Sequence, residues 1–211
     1  HESIVHELLC SMCRRMKTCQ ISPHQKDCNY PYKELCGAGV AYKLVRVLLE
    51  ELEMDPAKAE YLIENVAIAT IGDVVNLTGE NRIFVRTGLE MLKKTKNEGL
   101  KALFECTGID VENLNTYHIG FVIGPCINAC GRLDTAKRAL ELLNAPGRRE
   151  AVMMAEDLKA LNESRKEMTE KGVERAVEMI ETSALKEDCV LVVYLPDCHE
   201  SIAGIIAGRL K

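Results

Sequence analysis

The run of residues 148–182 restricts the fold more than any other part of this chain. Ala151, Met154, Ala155, Leu158 and Leu161 recur at helical spacing, and Met168, Val173, Ala176, Val177 and Ile180 continue the stripe with a small drift. At ~1.5 Å per residue such a helix spans on the order of 50 Å, more than one compact domain needs internally. It is expected to connect two domains. Behind it, residues 189–195 (CVLVVYL) read as a buried strand, and residues 201–210 as an apolar helix after the loop PDCHE. Strand, polar loop and helix open a second α/β unit.

Ahead of the connector the patterning is helical. Val40, Leu44, Val47, Leu48 and Leu52 mark one face of a helix expected over residues 32–53. Asp55-Pro56 pairs an N-cap with a first-turn proline and opens a helix through residue 66. Residues 78–81 read as a turn, and further helices are expected over 81–94, 99–106, 110–116 and 134–143. Between the last two lies a Gly-punctuated apolar segment, residues 118–132.

Bulk chemistry narrows the classes of function. The net charge of −5 argues against a protein that coats nucleic acid through overall basicity, while leaving room for a locally basic or metal-lined cleft. Aromatic residues make up only 4%, so base stacking has few platforms to use. No apolar run reaches the ~18 residues of a membrane span, and a cytoplasmic location is expected. Ten cysteines in a chain with a full-sized core and no secretory pattern read as reduced, small apolar side chains. A second class of function stays open at the N-terminus. His6, Cys10 and Cys13, with Cys19 and Cys28, offer ligand types for a structural zinc module, or else one face of a short helix.

One carboxylate stands out. Asp73 follows the apolar run Ala67–Gly72 directly and precedes Val74-Val75. A carboxylate flanked by apolar residues is costly to desolvate without a helix cap, an arginine or a metal ion to pair with.

Four stretches, in order, resemble the RecJ family of single-strand-specific 5′→3′ exonucleases in the DHH phosphoesterase superfamily. They are YPYKELCGAGVAYKL (30–44), IATIGDVVNLTGENR (68–82), IGFVIGPCINACGRLDTA (119–136) and YLPDCHESIAGIIAGRL (194–210), with the polar cluster Leu161–Arg165 on the connector. The resemblance implies an α/β fold in three parts. Residues 1–147 would be the mostly helical C-terminal part of a DHH domain, 148–184 the connector helix, and 185–211 the start of a DHH-associated domain. It implies hydrolysis of single-stranded DNA in repair and recombination with a divalent metal, manganese first and magnesium second. It also implies a single-strand-binding protein and a helicase as partners.

Under that resemblance Asp73 falls on a catalytic, metal-binding aspartate, and His1 on the last histidine of the DHH signature. Asn128, Gly131, Arg132, His199 and Ser201 fall on phosphate- or nucleic-acid-facing positions. A helix-terminal turn capped by Asn128 and Arg132, or a capping His199, are the plainer alternatives. Cys126 stands where many relatives have arginine, which removes one phosphate contact. The Asp-x-Asp element, a further aspartate and the Asp-His of the signature have no counterpart here, so an inactive fragment is expected. A DHH phosphodiesterase for short oligonucleotides or cyclic dinucleotides is the alternative within the superfamily.

Overall fold

Helix α1, Gly37–Glu51, begins five residues later than the apolar spacing predicts. The preceding residues are held out of helix by bonds to a distant loop: the Tyr32 hydroxyl donates to the Thr78 carbonyl at 2.7 Å, and the Glu34 carbonyl accepts from Asn81 at 2.7 Å. The computed structural model describes residues 22–26 and 28–210. His1, His6, Cys10, Cys13 and Cys19, and with them the signature histidine and most of the zinc module, lie outside the described residues. The described chain divides into two compact units. The first runs to Lys96 and includes Ile109–Gly124; the second holds Asn97–Gly108 and the chain from Pro125 onward.

In the first unit, Asp55 caps as its sequence suggests, accepting from the Ala57 amide at 2.9 Å. The turn that follows, Pro56–Leu62, is 3₁₀ rather than α. Helix α2, Ile63–Gly72, then takes the apolar run that leads to Asp73, and α3, Gly79–Leu92, packs against it. Gly88 makes that packing close: a Cβ there would lie 2.4 Å from the Ala67 Cβ and 2.8 Å from the Ile63 carbonyl. Tyr30, Leu35, Tyr42, Ala59, Val66 and Phe84 form the core, with Tyr42 edge-on to Phe84 at 5.5 Å between centroids. The Gly-punctuated segment is helical. The turn Thr116–His118 runs into a π-helical stretch, Ile119–Ile123.

The second unit is built on the long helix. Helix α4, Glu98–Cys106, is capped by Asn97, whose side chain accepts from the Leu100 amide and donates to the Leu143 carbonyl. Helices α5, Gly124–Leu133, and α6, Lys137–Leu143, precede α7, Arg148–Glu181. The helix expected over residues 148–182 is present as 34 continuous residues, about 50 Å long, and lies wholly within the second unit. α4 and α6 pack on its N-terminal half, while Ile202 and Ile206 of α8, Glu200–Arg209, join Ala176 further along. Residues 189–195 do not form the expected strand, and no strand occurs among the described residues. Val193 and Leu195 pack inward, while Val190, Val192 and Tyr194 face solvent. The period-two alternation is present, but a lone extended segment has no neighbour to supply a ladder.

Candidate functional site

The Asp73 stretch is organised by its neighbours in the first unit. Asp73 is the C-cap residue of α2, its amide bonded to the Ala69 carbonyl at 2.8 Å. Its side chain is exposed, not buried as the flanking apolar residues suggest, and has no hydrogen-bond or ion-pair partner among the described residues. The carbonyl end of a helix is an unfavourable place for a carboxylate, by about 0.3–1 kcal/mol. Capping therefore does not explain it. The next residue, Val74, adopts φ 56° and is 87% exposed. A β-branched residue in the left-handed region costs on the order of 1–3 kcal/mol, and such strain gathers at functional sites.

The loop after Asp73 is clamped by the 30–36 segment. Asn81, fully buried, donates to the Glu34 carbonyl at 2.7 Å and to the Asn76 carbonyl at 3.0 Å. The Tyr30 hydroxyl donates to the Glu80 carboxylate at 2.6 Å, and Lys43 pairs with the other Glu80 oxygen at 2.6 Å. Burial, then the bond and charge of Glu80, raise the Tyr30 pKa, so this phenol stays protonated as a donor. Gly79 sits at φ 46° against the Tyr32 ring, where a Cβ would come within 2.6 Å. Two stretches of the resemblance, about forty residues apart, are thus bolted together. Nothing in the sequence marks Asn81 and Tyr32 as bracing residues; only the bonds they make and the burial of Asn81 do.

In the second unit the proposed phosphate-facing residues lie on helix, not in a loop. Asn128 and Arg132 are exposed on α5, and Gly131 is exposed beside Arg132. The Arg132 Nη1 donates to the Ser201 carbonyl at 2.8 Å, which joins α5 to the first turn of α8. His199 caps α8: its Nδ1 accepts from the Ser201 amide at 3.3 Å and lies 2.7 Å from the Ser201 hydroxyl. The plainer reading of His199 as a cap thus describes its bonding here. The Asn128 side chain makes no hydrogen bond among the described residues.

Cys126 is buried, and its thiol accepts from Asn162 Nδ2 at 3.6 Å. Burial pushes its pKa up to about 11. All the cysteines among the described residues are free thiols. No group of three His, Cys, Asp or Glu set to hold a metal ion occurs among the described residues. No helix among them is long and apolar enough to cross a membrane.

No family model matches the chain. It is 37% identical over 190 residues to the single-stranded-DNA-specific exonuclease RecJ of Bacillus subtilis, covering 90% of this chain and 23% of the relative. To RecJ of Escherichia coli it is 35% identical over 205 residues, 90% of this chain and 35% of the relative. The chain thus spans about a quarter to a third of the length of these curated relatives. Among solved structures, it superimposes on Thermus thermophilus RecJ in complex with Mg2+ with TM-score 0.76 and 31% identity, covering 86% of this chain and 28% of the other. A RecJ structure bound to manganese gives TM-score 0.75 at 31% identity, covering 86% and 45%.

Proposed function

This chain is RecJ-like over nine tenths of its length, and from that premise we propose that it serves the hydrolysis of phosphodiester bonds in single-stranded DNA, running 5′→3′. The observation that carries the reading is Asp73: an exposed, unpartnered carboxylate at the wrong end of a helix, beside a strained valine, inside a stretch that resembles the family. A side chain that helix energetics disfavours and packing does not use is free to serve a ligand.

The described residues do not by themselves fit a metal centre, because Asp73 has no second or third ligand grouped with it. On the resemblance alone, Asp73 is one ligand of a divalent-metal site, manganese by preference, which the described residues do not complete. Residues 1–147, 148–184 and 185–211 keep the domain roles that the resemblance implies. What the chain's own residues supply is placement. The clamp from Tyr32, Glu34 and Asn81 holds the loop behind Asp73, and Arg132, fastened to the Ser201 carbonyl, offers its remaining guanidinium donors to a phosphate. Asn128 and Gly131 flank that arginine; His199 and Ser201 set the first turn of α8 beneath it. Single-stranded DNA is the substrate proposed, and a single-strand-binding protein and a helicase are the protein partners.

The test is strand hydrolysis by the full-length enzyme with end-labelled single- and double-stranded DNA. Asp73→Asn is expected to lower single-strand hydrolysis by at least about 100-fold while the melting temperature holds. A variant that cleaves near the wild-type rate would remove Asp73 from the reaction. Preferential cleavage of cyclic dinucleotides would move the enzyme to the other branch of the superfamily.

A further inference from the structure

Of the three phenylalanines, Phe84 and Phe104 are buried, while Phe121 is 71% exposed. A phenylalanine has no polar tip to give to water, so packing ordinarily takes it in. Phe121 does not stand alone. The Tyr117 ring, 61% exposed, stacks on it with 5.1 Å between centroids and 27° between planes. His118 in turn meets Tyr117 edge-on at 6.0 Å. Two near-parallel rings thus stand together in solvent and brace each other.

The backbone beneath them is fixed. The Asn115 Oδ1 accepts from the Tyr117 amide at 3.0 Å and the His118 amide at 3.4 Å. The His118 Nδ1 accepts from the Asn115 amide at 3.3 Å, completing a capping box that starts the turn. Ile119 and Ile123 flank Phe121 and are fully buried, so the outward ring rides between two inward anchors. The stretch Ile119–Ile123 that carries Phe121 is π-helical, a conformation that gathers at functional sites. It also packs on α2: a Cβ on Gly120 would come within 3.4 Å of the Ile71 side chain. Ile71 is two residues before Asp73. The ring pair is therefore built into the same unit as that carboxylate and onto the end of the helix that presents it.

We propose that Tyr117 and Phe121 form a platform on which an unpaired base of single-stranded DNA stacks. The inference rests on the reading that this chain serves single-strand hydrolysis, and deepens it by naming residues that tell a single strand from a duplex. Aromatic rings meet the π-face that every base presents, whatever the sequence. An internal base of a duplex keeps both faces covered by its neighbours, whereas a single strand can give one up. Each ring here spends one face on the other, which leaves the outer face of the pair for a base. Because the rings already hold each other, little side-chain freedom is lost when the base arrives. The contact needs no positive charge, which suits a chain of net charge −5.

The experiment uses the full-length enzyme in EDTA, which withholds the divalent metal and separates binding from cleavage. A fluorescent dT12 and an abasic strand of the same length, which keeps the phosphates and lacks the bases, are titrated by anisotropy over a series of KCl concentrations. Phe121→Leu and Tyr117→Leu are each expected to weaken dT12 binding about tenfold, the stacking of roughly one base. The salt slope is expected to keep its wild-type value, because no phosphate contact is lost. On the abasic strand both variants are expected to bind as wild type does. Tyr61→Leu, the same change at a tyrosine 66% exposed in the same unit, is the control. Thermal melts establish that each variant is folded. With metal restored, the preference of Phe121→Leu for end-labelled single- over double-stranded DNA is expected to narrow by about the same factor.

Ring variants that bind dT12 as Tyr61→Leu does overturn the inference. So do equal losses on the abasic strand, or a salt slope reduced by about 0.7, which mark a phosphate contact instead. A melting temperature that falls in both ring variants shows the pair covered by protein, and overturns it too. If Phe121→Leu spares binding while Asp73→Asn loses hydrolysis, this inference fails and the reading beneath it stands. An enzyme that neither binds nor hydrolyses single-stranded DNA overturns both.

Discussion

Asn81 reaches across 47 residues to donate to the Glu34 carbonyl at 2.7 Å, and the same amide nitrogen meets the Asn76 carbonyl at 3.0 Å. One buried side chain therefore holds the segment before α1 against the loop that leaves Asp73. Its Oδ1 is buried without a partner, so its stabilising role lies in the two N–H bonds. Asn81→Ala should cost about 2–4 kcal/mol, from two lost bonds, two orphaned carbonyls and a small cavity. Asn81→Asp should cost more, because a carboxylate would face two carbonyl oxygens. Urea unfolding followed by circular dichroism measures both; a loss under about 1 kcal/mol in Asn81→Ala would show that the clamp is slack.

Gly88 makes a sharper steric claim. In an exposed helix, glycine to alanine gains about 1 kcal/mol. Here the added Cβ would press within 2.8 Å of the Ile63 carbonyl and 2.4 Å of the Ala67 Cβ, and neither can swing aside as a flexible chain end does. Gly88→Ala should destabilise by about 1–3 kcal/mol, since α2 and α3 must part. A rise in stability would mean that the two helices separate without cost.

The long helix was legible to within a residue of its end, because its stripe persists over many turns and Gly147 marks its start. The last helix was equally clear, expected over 201–210 and found over Glu200–Arg209. The strand at 189–195 was not, since alternation specifies a face to bury and not a partner to pair with. At residues 118–132, where the sequence showed only a Gly-punctuated apolar segment, the chain passes through a π-helical stretch into α5, with Gly124 close to the Ile119 carbonyl. Asp73 itself was found, but its expected buried setting was wrong, because α2 turns its apolar residues inward and leaves its C-cap in solvent. The polar cluster Leu161–Arg165 was marked in the sequence, but not that its asparagine is buried and bonded to Arg165.

Glu64 gives the first unit a pH signature. Burial raises its carboxyl pKa above the ordinary value, against the opposing bond from the Thr95 hydroxyl at 2.6 Å. A raised folded-state pKa means that the protonated form is favoured on folding. This contribution is therefore fully present below the ordinary carboxylate pKa of 4.5 and is lost as pH rises through the folded value. Glu64→Gln, which stays neutral, should melt slightly higher than wild type at pH 7. That advantage should shrink as pH falls toward the ordinary carboxylate range. A gap that widens on acidification would reverse the sign.

The thiols should sort by burial. Cys126 is 2% exposed, with its pKa pushed up to about 11, and Cys130 and Cys36 are buried too, whereas Cys189 is exposed. Because the thiolate is the reactive form, iodoacetamide at pH 8 should label Cys189 well before Cys126 in the folded chain. Peptide mass spectrometry over a time course reads the order, and early labelling of Cys126 would contradict its packing against Asn162.

Val74 offers the test that joins strain to function. A valine at φ 56° with its side chain in solvent is disfavoured locally, and packing does not recover the cost. Glycine adopts that conformation freely, at an unfolded-state entropy cost of about 0.5–1 kcal/mol. Val74→Gly should therefore leave the chain as stable as wild type or stabilise it by up to about 1 kcal/mol. In the full-length enzyme the same change loosens the residue next to Asp73, so single-strand hydrolysis should fall while stability holds. Stability and hydrolysis rising together would mean that the strain at Val74 does nothing for the carboxylate beside it.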